Sequence, residues 1–346
     1  MEAMDTTNTT NTTKKKKRKN KRKQKILISF IIILLLVCVG IGIYMVLSKE
    51  NPNIVQTKEA DYHTISYEGE DYKYNTSIVS ILVLGTDSSK EDEQGQADTI
   101  QLMLLNRETE SIQVIALSRD IMTEIRMFDV ARNDLGWNRE HLALAYAYGD
   151  TKATGCILTN QAVSKLLYNV PINFYGAMNI NALSEVHNVV GELTVTVPND
   201  SLESVNESWT KGATVTLTKD NVEQFLRPRN TSEKFSNNDR MQRHEAYLTA
   251  YFDKIREMLQ NDFDKTLEKL YYASRSMTTN ITLKDIQVFA QMALTYKFNP
   301  ETDYYILEGD NVSGEFHDEF EVDQEYLKSL VVQLFYDKEE ERWENY

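Results

Sequence analysis

Three kinds of hydrophobic pattern run along the chain. The longest is unbroken: residues 26–47, ILISFIIILLLVCVGIGIYMVL, carry no charge over 22 positions. As a helix this stretch rises roughly 33 Å at about 1.5 Å per residue, enough to cross a bilayer core. A cleavable signal peptide has a shorter apolar core followed by a small-residue cleavage site, whereas SKENPN follows here. The pattern therefore predicts one uncleaved N-terminal transmembrane helix.

The second kind is short, β-branched and apolar. SIVSILVLGTD (residues 77–87) reads as a buried strand that enters a turn at Gly-Thr-Asp. TIQLMLLN (99–106) and SIQVIAL (111–117) flank Arg-Glu-Thr-Glu and read as a hairpin of central strands. Because these strands are apolar on both faces, helices are expected on both sides of the sheet. GELTVTVPND (191–200) predicts a strand stopped by Pro198, and ATVTLTKDNVEQFL (213–226) a strand followed by a short helix.

The third kind has helical spacing. It predicts helices over 138–149, 160–170, 283–296 and 322–336, and one long helix over 238–275. YYIL (304–307) reads as one more strand. Residues 1–13 are low-complexity, and residues 48–76 are polar and acidic, like a stalk. The expected organisation is a basic tail (1–25), a span (26–47), a stalk (48–76) and one mixed α/β domain (77–346, core 77–250).

Charge gives this organisation a direction. Residues 14–25, KKKKRKNKRKQK, hold ten Lys or Arg and no acid, and they abut the span. The positive-inside rule keeps that side in the cytoplasm, against anionic headgroups, and places the domain outside. Residues 1–49 hold 11 of the 38 basic and 2 of the 52 acidic side chains, which leaves the outer part at -23. That field excludes a nucleic-acid partner. Cys38 lies in the span and Cys156 is the only cysteine beyond it, so no intramolecular disulfide is available. Cys156 reads as a small buried apolar residue, and the five histidines show no zinc spacing.

Candidate chemistry sits at strand ends. Asp87 closes LGTD, Asp98 opens the next strand in GQADT, and Arg119 closes the third in ALSRD. LRPRNTSEKFSNNDRMQR then gathers Arg227, Arg229, Arg240 and Arg243, the first two on an extended segment and the last two on one helix face. Strand ends of α/β sheets share a crevice where ligands bind. Two carboxylates with several guanidiniums suit a phosphate held through a hard divalent cation. The same residues also read as a turn-forming Asp and as solvated surface ion pairs. Pattern alone does not choose between these readings.

Seven ordered blocks do choose. ILVLGTDS, GQADTIQLMLLN, IQVIALSRDIMTEI, LALAYAYGD, AVSKLLYNVPINFYGAMN, KGATVTLTKDNVEQFLRPRN and NNDRMQRHEAYL resemble the successive blocks of the LytR-CpsA-Psr family of cell-envelope proteins. The resemblance implies an α/β/α domain around a mixed sheet, with an apolar groove for a polyprenyl tail. It implies a Mg2+-dependent phosphotransferase that moves a glycopolymer, such as teichoic acid or capsule, from undecaprenyl pyrophosphate to peptidoglycan in a Gram-positive-type cell membrane. Asp87 and Asp98 would hold Mg2+. Arg119, Arg227, Arg229, Arg240 and Arg243 would grip the pyrophosphate. Either carboxylate would take the acceptor proton, with Arg119 completing the catalytic set.

A non-catalytic polyprenyl-phosphate-binding regulator of the same fold is the alternative. The chain departs from the family pattern at Gln96, where Arg is usual, at Glu192 for a Gly, at Asn230 for an Asp, and at His244 for a Gln.

Overall fold

The computed structural model describes residues 63–88, 94–230, 233–315 and 317–338. The expected basic tail and membrane span lie outside the described residues.

A six-stranded mixed sheet organises the domain. Its strands are β1 (Ile78–Thr86), β2 (Ala97–Asn106), β3 (Ser111–Leu117), β4 (Phe174–Met178), β5 (Thr278–Thr279) and β6 (Tyr304–Ile306). They lie in the order β5-β4-β1-β2-β3-β6. β2 pairs antiparallel with both β1 and β3, whereas β4 and β6 add in parallel to β1 and β3 respectively. The first three strands are the ones that the continuous apolar runs predicted.

Helices cover both faces, as two-sided apolarity requires. They are α1 (Lys152–Leu166), α2 (Ile180–Asn188), α3 (Val222–Leu226), α4 (Asn237–Asn261), α5 (Phe263–Ser274), α6 (Leu283–Thr295) and α7 (Gln324–Phe335). On one face Leu82, Leu102 and Ile115 pack into a core with Val163 of α1 and Val331 of α7. On the other, Ile81, Leu105 and Phe174 meet Phe252 of α4 and Phe289 of α6. A separate cluster joins the small hairpin Leu193–Thr196/Thr214–Leu217 to α3 and α4 through Val195, Leu217, Phe225 and Leu259.

Four expectations need correction. Residues 138–149 are not one helix: Asp134–His141 is a strand antiparallel to Met122–Phe128, and only Leu144–Ala147 is helical. Pairing with that strand satisfies the backbone of the polar half. α1 starts at Lys152, ahead of residue 160, because Thr151 and Thr154 form a reciprocal capping box. The long helix over 238–275 is two helices. Asp262 breaks it with extended backbone (φ -154°, ψ 91°), and its side chain accepts from Lys265 N to start α5. Finally, residues 64–74 of the expected stalk belong to the domain. Thr64–Tyr67 and Glu70–Tyr74 pair, and the second strand also pairs with Tyr336–Lys338, so the two ends of the domain close on each other.

Candidate functional site

The site begins where β1 stops. Pairing with β2 shifts register between Gly85 and Thr86, and the irregularity ends the ladder just before Asp87. Asp87 is then held by the opposite chain: its N donates to Gln96 O at 3.2 Å and its Oδ1 accepts from Gln96 N at 2.6 Å. Gly95 makes this approach possible. Its φ is +67°, and a Cβ there would lie 2.5 Å from Asp87 Oδ1.

Asp98, one residue into β2, faces two arginines from different elements. Its Oδ1 pairs with Arg119 Nη1 and its Oδ2 accepts from Arg240 Nη1 at 3.2 Å. Arg119 follows β3, and its Nη2 donates to Gln96 Oε1 at 2.6 Å. Arg240 lies in the first turn of α4, where Asn237 Oδ1 accepts from its Nη2 at 2.7 Å. Asn237 in turn donates to Ser118 Oγ at 2.9 Å, locking the helix start to the end of β3. Arg240 is 4% exposed, and that burial lowers its pKa against the pull of the Asp98 carboxylate.

Arg227 and Arg229 do not come from an extended edge. Arg227 caps α3 with helical backbone and pairs with Glu223 Oε1 at 2.9 Å, largely exposed. Arg229 follows Pro228, and its Nη1 lies 3.7 Å from Asp120 Oδ2. Arg243 is placed differently from the other four. It is 1% exposed and lines neither of the cavities described next. Its Nε donates to Phe225 O at 2.8 Å, and its Nη atoms bond Ser201 Oγ and Pro228 O. Burial pushes its pKa down to about 10. Arg243 thus holds the turn that presents Arg227 and Arg229.

Two cavities meet at these groups. An open basin is lined by Asp98, Arg119, Arg227, Arg229 and Arg240. A second cavity, with about 990 Å³ of free space including its mouth, shares Asp98, Glu223, Arg227 and Arg240 with the basin and adds Asp87. Away from the charged end its walls are apolar. Leu183 and Val186 come from α2, Tyr247, Leu248 and Tyr251 from α4, and Val83 from β1.

On α4, residues 240, 244, 247, 248 and 251 recur at three- and four-residue spacing, so one face carries both the arginine and the apolar wall. Both tyrosine hydroxyls are occupied. Tyr251 OH donates to Val186 O at 2.8 Å, and Tyr247 OH lies 3.0 Å from His187 Nδ1. The phenol rings are left as apolar wall. That spacing was visible in the sequence, but which face it turned to the sheet was not.

Sequence reasoning also missed Asp120 as a site residue. Its Oδ1 lies 3.5 Å from Arg119 Nε and its Oδ2 faces Arg229. Burial raises its pKa, with Arg119, Arg229, Arg240 and His141 opposing. The adjacent Arg-Asp pair in the sequence gave no sign of this burial.

The family model described as LytR_cpsA_psr matches residues 41–333. The chain belongs to that family. Among curated proteins it is 32% identical over 151 residues to the polyisoprenyl-teichoic acid–peptidoglycan teichoic acid transferase TagU of Bacillus mycoides. It is 29% identical over 116 residues to TagU of Halalkalibacterium halodurans. These alignments span 44% and 34% of each protein. Among solved structures, gbs0355 of Streptococcus agalactiae gives a TM-score of 0.60 at 21% identity, over 75% of this chain and 87% of the other. TagT bound to LI-WTA gives 0.57 at 20% identity, over 75% and 90%. At those identities the structural likeness establishes the mixed α/β fold.

The donor set fits a hard divalent cation. Asp87 and Asp98 line one cavity, and two carboxylates completed by phosphate oxygens suit Mg2+. No cluster of three or more His, Cys, Asp or Glu suited to a metal occurs among the described residues. A cation here would therefore depend on oxygens of its ligand. Asp98, paired with two guanidiniums, would have to exchange them to coordinate it.

Proposed function

We propose that this is a membrane-anchored phosphotransferase of the cell envelope that moves a glycopolymer from a polyprenyl-pyrophosphate carrier to peptidoglycan. One observation carries the reading: an apolar cavity and an arginine-lined basin share Asp98, Arg227, Arg240 and Glu223, the last paired with Arg227, at their junction. An amphiphile with a pyrophosphate between a long hydrocarbon and a sugar fits that junction. Its tail runs along α2 and α4, and each methylene taken from water adds about 0.8 kcal/mol. Its phosphates meet Arg119, Arg227, Arg229 and Arg240, whose forked donors match phosphate oxygens. The teichoic acid transferases among the relatives support the same donor class.

In the reaction an acceptor sugar hydroxyl attacks the phosphorus that carries the glycan. The bond from that phosphorus to the polyprenyl-phosphate oxygen breaks, giving a phosphodiester and polyprenyl phosphate. Asp87 and Asp98 would hold Mg2+, which when bound neutralises phosphate charge. The arginines orient the diphosphate and stabilise the negative charge that grows on the leaving phosphate. Asp87 commits Oδ1 to Gln96 N, which leaves Oδ2 for the cation or, if Asp98 holds the cation, for the hydroxyl proton.

The test uses the full chain in detergent, a lipid-pyrophosphate glycan, muropeptide acceptor and Mg2+. Linked product is expected, with Asp98→Asn lowering the rate by about a hundredfold or more. Tight donor binding without product from the intact chain would instead establish a binding protein.

A further inference from the structure

The arginines and carboxylates of the basin form an alternating chain: Arg240, Asp98, Arg119, Asp120, Arg229. Asp98 lines both cavities, but Asp120 lines neither. It sits behind the guanidiniums, 9% exposed, with its backbone fixed on both sides. Its N donates to Ser118 Oγ at 3.2 Å and its O accepts from Phe320 N at 2.8 Å. A carboxylate in this place stands outside the basin's lining, yet it faces two arginines that belong to it.

Arg119 shows what Asp120 contributes. Its Nη1 points to Asp98 and its Nη2 to Gln96. Its Nε is buried, makes no hydrogen bond among the described residues, and has Asp120 Oδ1 at 3.5 Å as its facing charge. If Asp98 turns to a cation, Arg119 and Arg240 lose their shared carboxylate. Arg119 then keeps one fixed anionic partner, Asp120, which also faces Arg229.

We propose that Asp120 is a positioning residue, a rear anchor that keeps Arg119 and Arg229 aimed at the diphosphate while Asp98 exchanges its arginines for the cation. The inference rests on the transferase reading above and assigns a role to a group outside the substrate cavities.

Charge alone and positioning predict opposite signs. If Asp120 were only a background negative charge, neutralising it would tighten anion binding. If it anchors the arginines, neutralising it loosens the anion although the site becomes more positive.

The test is calorimetric titration of inorganic pyrophosphate with Mg2+ into the full detergent-solubilised chain, for wild type, Asp120→Asn, Asp120→Glu, Arg229→Gln and the Asp120→Asn/Arg229→Gln pair. Asp120→Asn is expected to weaken binding about tenfold, equivalent to ~1.4 kcal/mol. Asp120→Glu should recover most of that loss, and Asp120→Asn should add less in the Arg229→Gln background than in wild type. Equal or tighter binding by Asp120→Asn overturns the anchor role. So does a loss of the same size with and without Arg229, which would mark a folding defect. If wild type binds no pyrophosphate, the transferase reading itself falls, a separate outcome.

Discussion

His244 shows how burial sets chemistry at a single residue. It follows Arg243 on α4 and lines the apolar cavity, with Nε2 3.1 Å from Leu226 O. The carbonyl accepts, so Nε2 carries the hydrogen and Nδ1 the lone pair. Burial, reinforced by Arg240, pushes its pKa down to about 3. The ring is neutral at neutral pH, where it donates one hydrogen bond much as an amide side chain would. In the unfolded chain it titrates near the ordinary histidine value of about 6.5. A folded pKa below the unfolded one means that stability is full above about 6.5 and falls as pH drops toward 3. Between pH 7 and 5 the loss assigned to His244 is about 2 kcal/mol. Chemical denaturation at both pH values checks this: His244→Gln should show a smaller drop than wild type, and equal drops would contradict the assignment.

Of the seven residues singled out from the sequence, Asp87, Asp98, Arg119, Arg227, Arg229 and Arg240 line the joined cavities, while Arg243 lies behind them. Side-chain type and order were legible. Whether an arginine faces a ligand or carbonyls of its own chain depends on packing that local sequence does not encode.

At the scale of elements, the strands of the central sheet were legible because two-sided burial leaves a continuous apolar run. The strand Asp134–His141 was not legible, because it is largely exposed and its polar residues mimic a helix start. The break at Asp262 was hidden inside a continuous amphipathic stripe, with one short side chain capping the second helix. These elements bear on the proposed function through α2 and α4, whose facing sides line the apolar cavity. Leu183 and Val186, three apart on α2, stand across from Tyr247 and Tyr251. Leu183→Trp fills that space. It should raise KM about tenfold for a donor with a C20 or longer tail, and leave a C5 diphosphate within about twofold, since only the longer chain buries methylenes there. Equal effects on both donors would move the tail elsewhere.

At the scale of the whole molecule, charge and topology act together. The part beyond residue 49 carries -23, yet the sheet brings cations from β3, α3 and α4 to one strand end. Against such a background any attraction of an anion has to come from the local constellation and not from long range. Closure of Tyr336–Lys338 onto Glu70–Tyr74 ties the last helix to the start of the domain, under the same sheet that presents the site.

In the proposed function the apolar cavity and the basin are one amphiphile site. A crystal structure of the domain with geranylgeranyl pyrophosphate and Mg2+ tests it most directly. Diphosphate oxygens are expected within hydrogen-bond distance of Arg119, Arg227, Arg229 and Arg240, with a cation on Asp87 and Asp98 and the hydrocarbon between α2 and α4. A diphosphate bound away from these arginines, or a tail lying outside the apolar cavity, would contradict it.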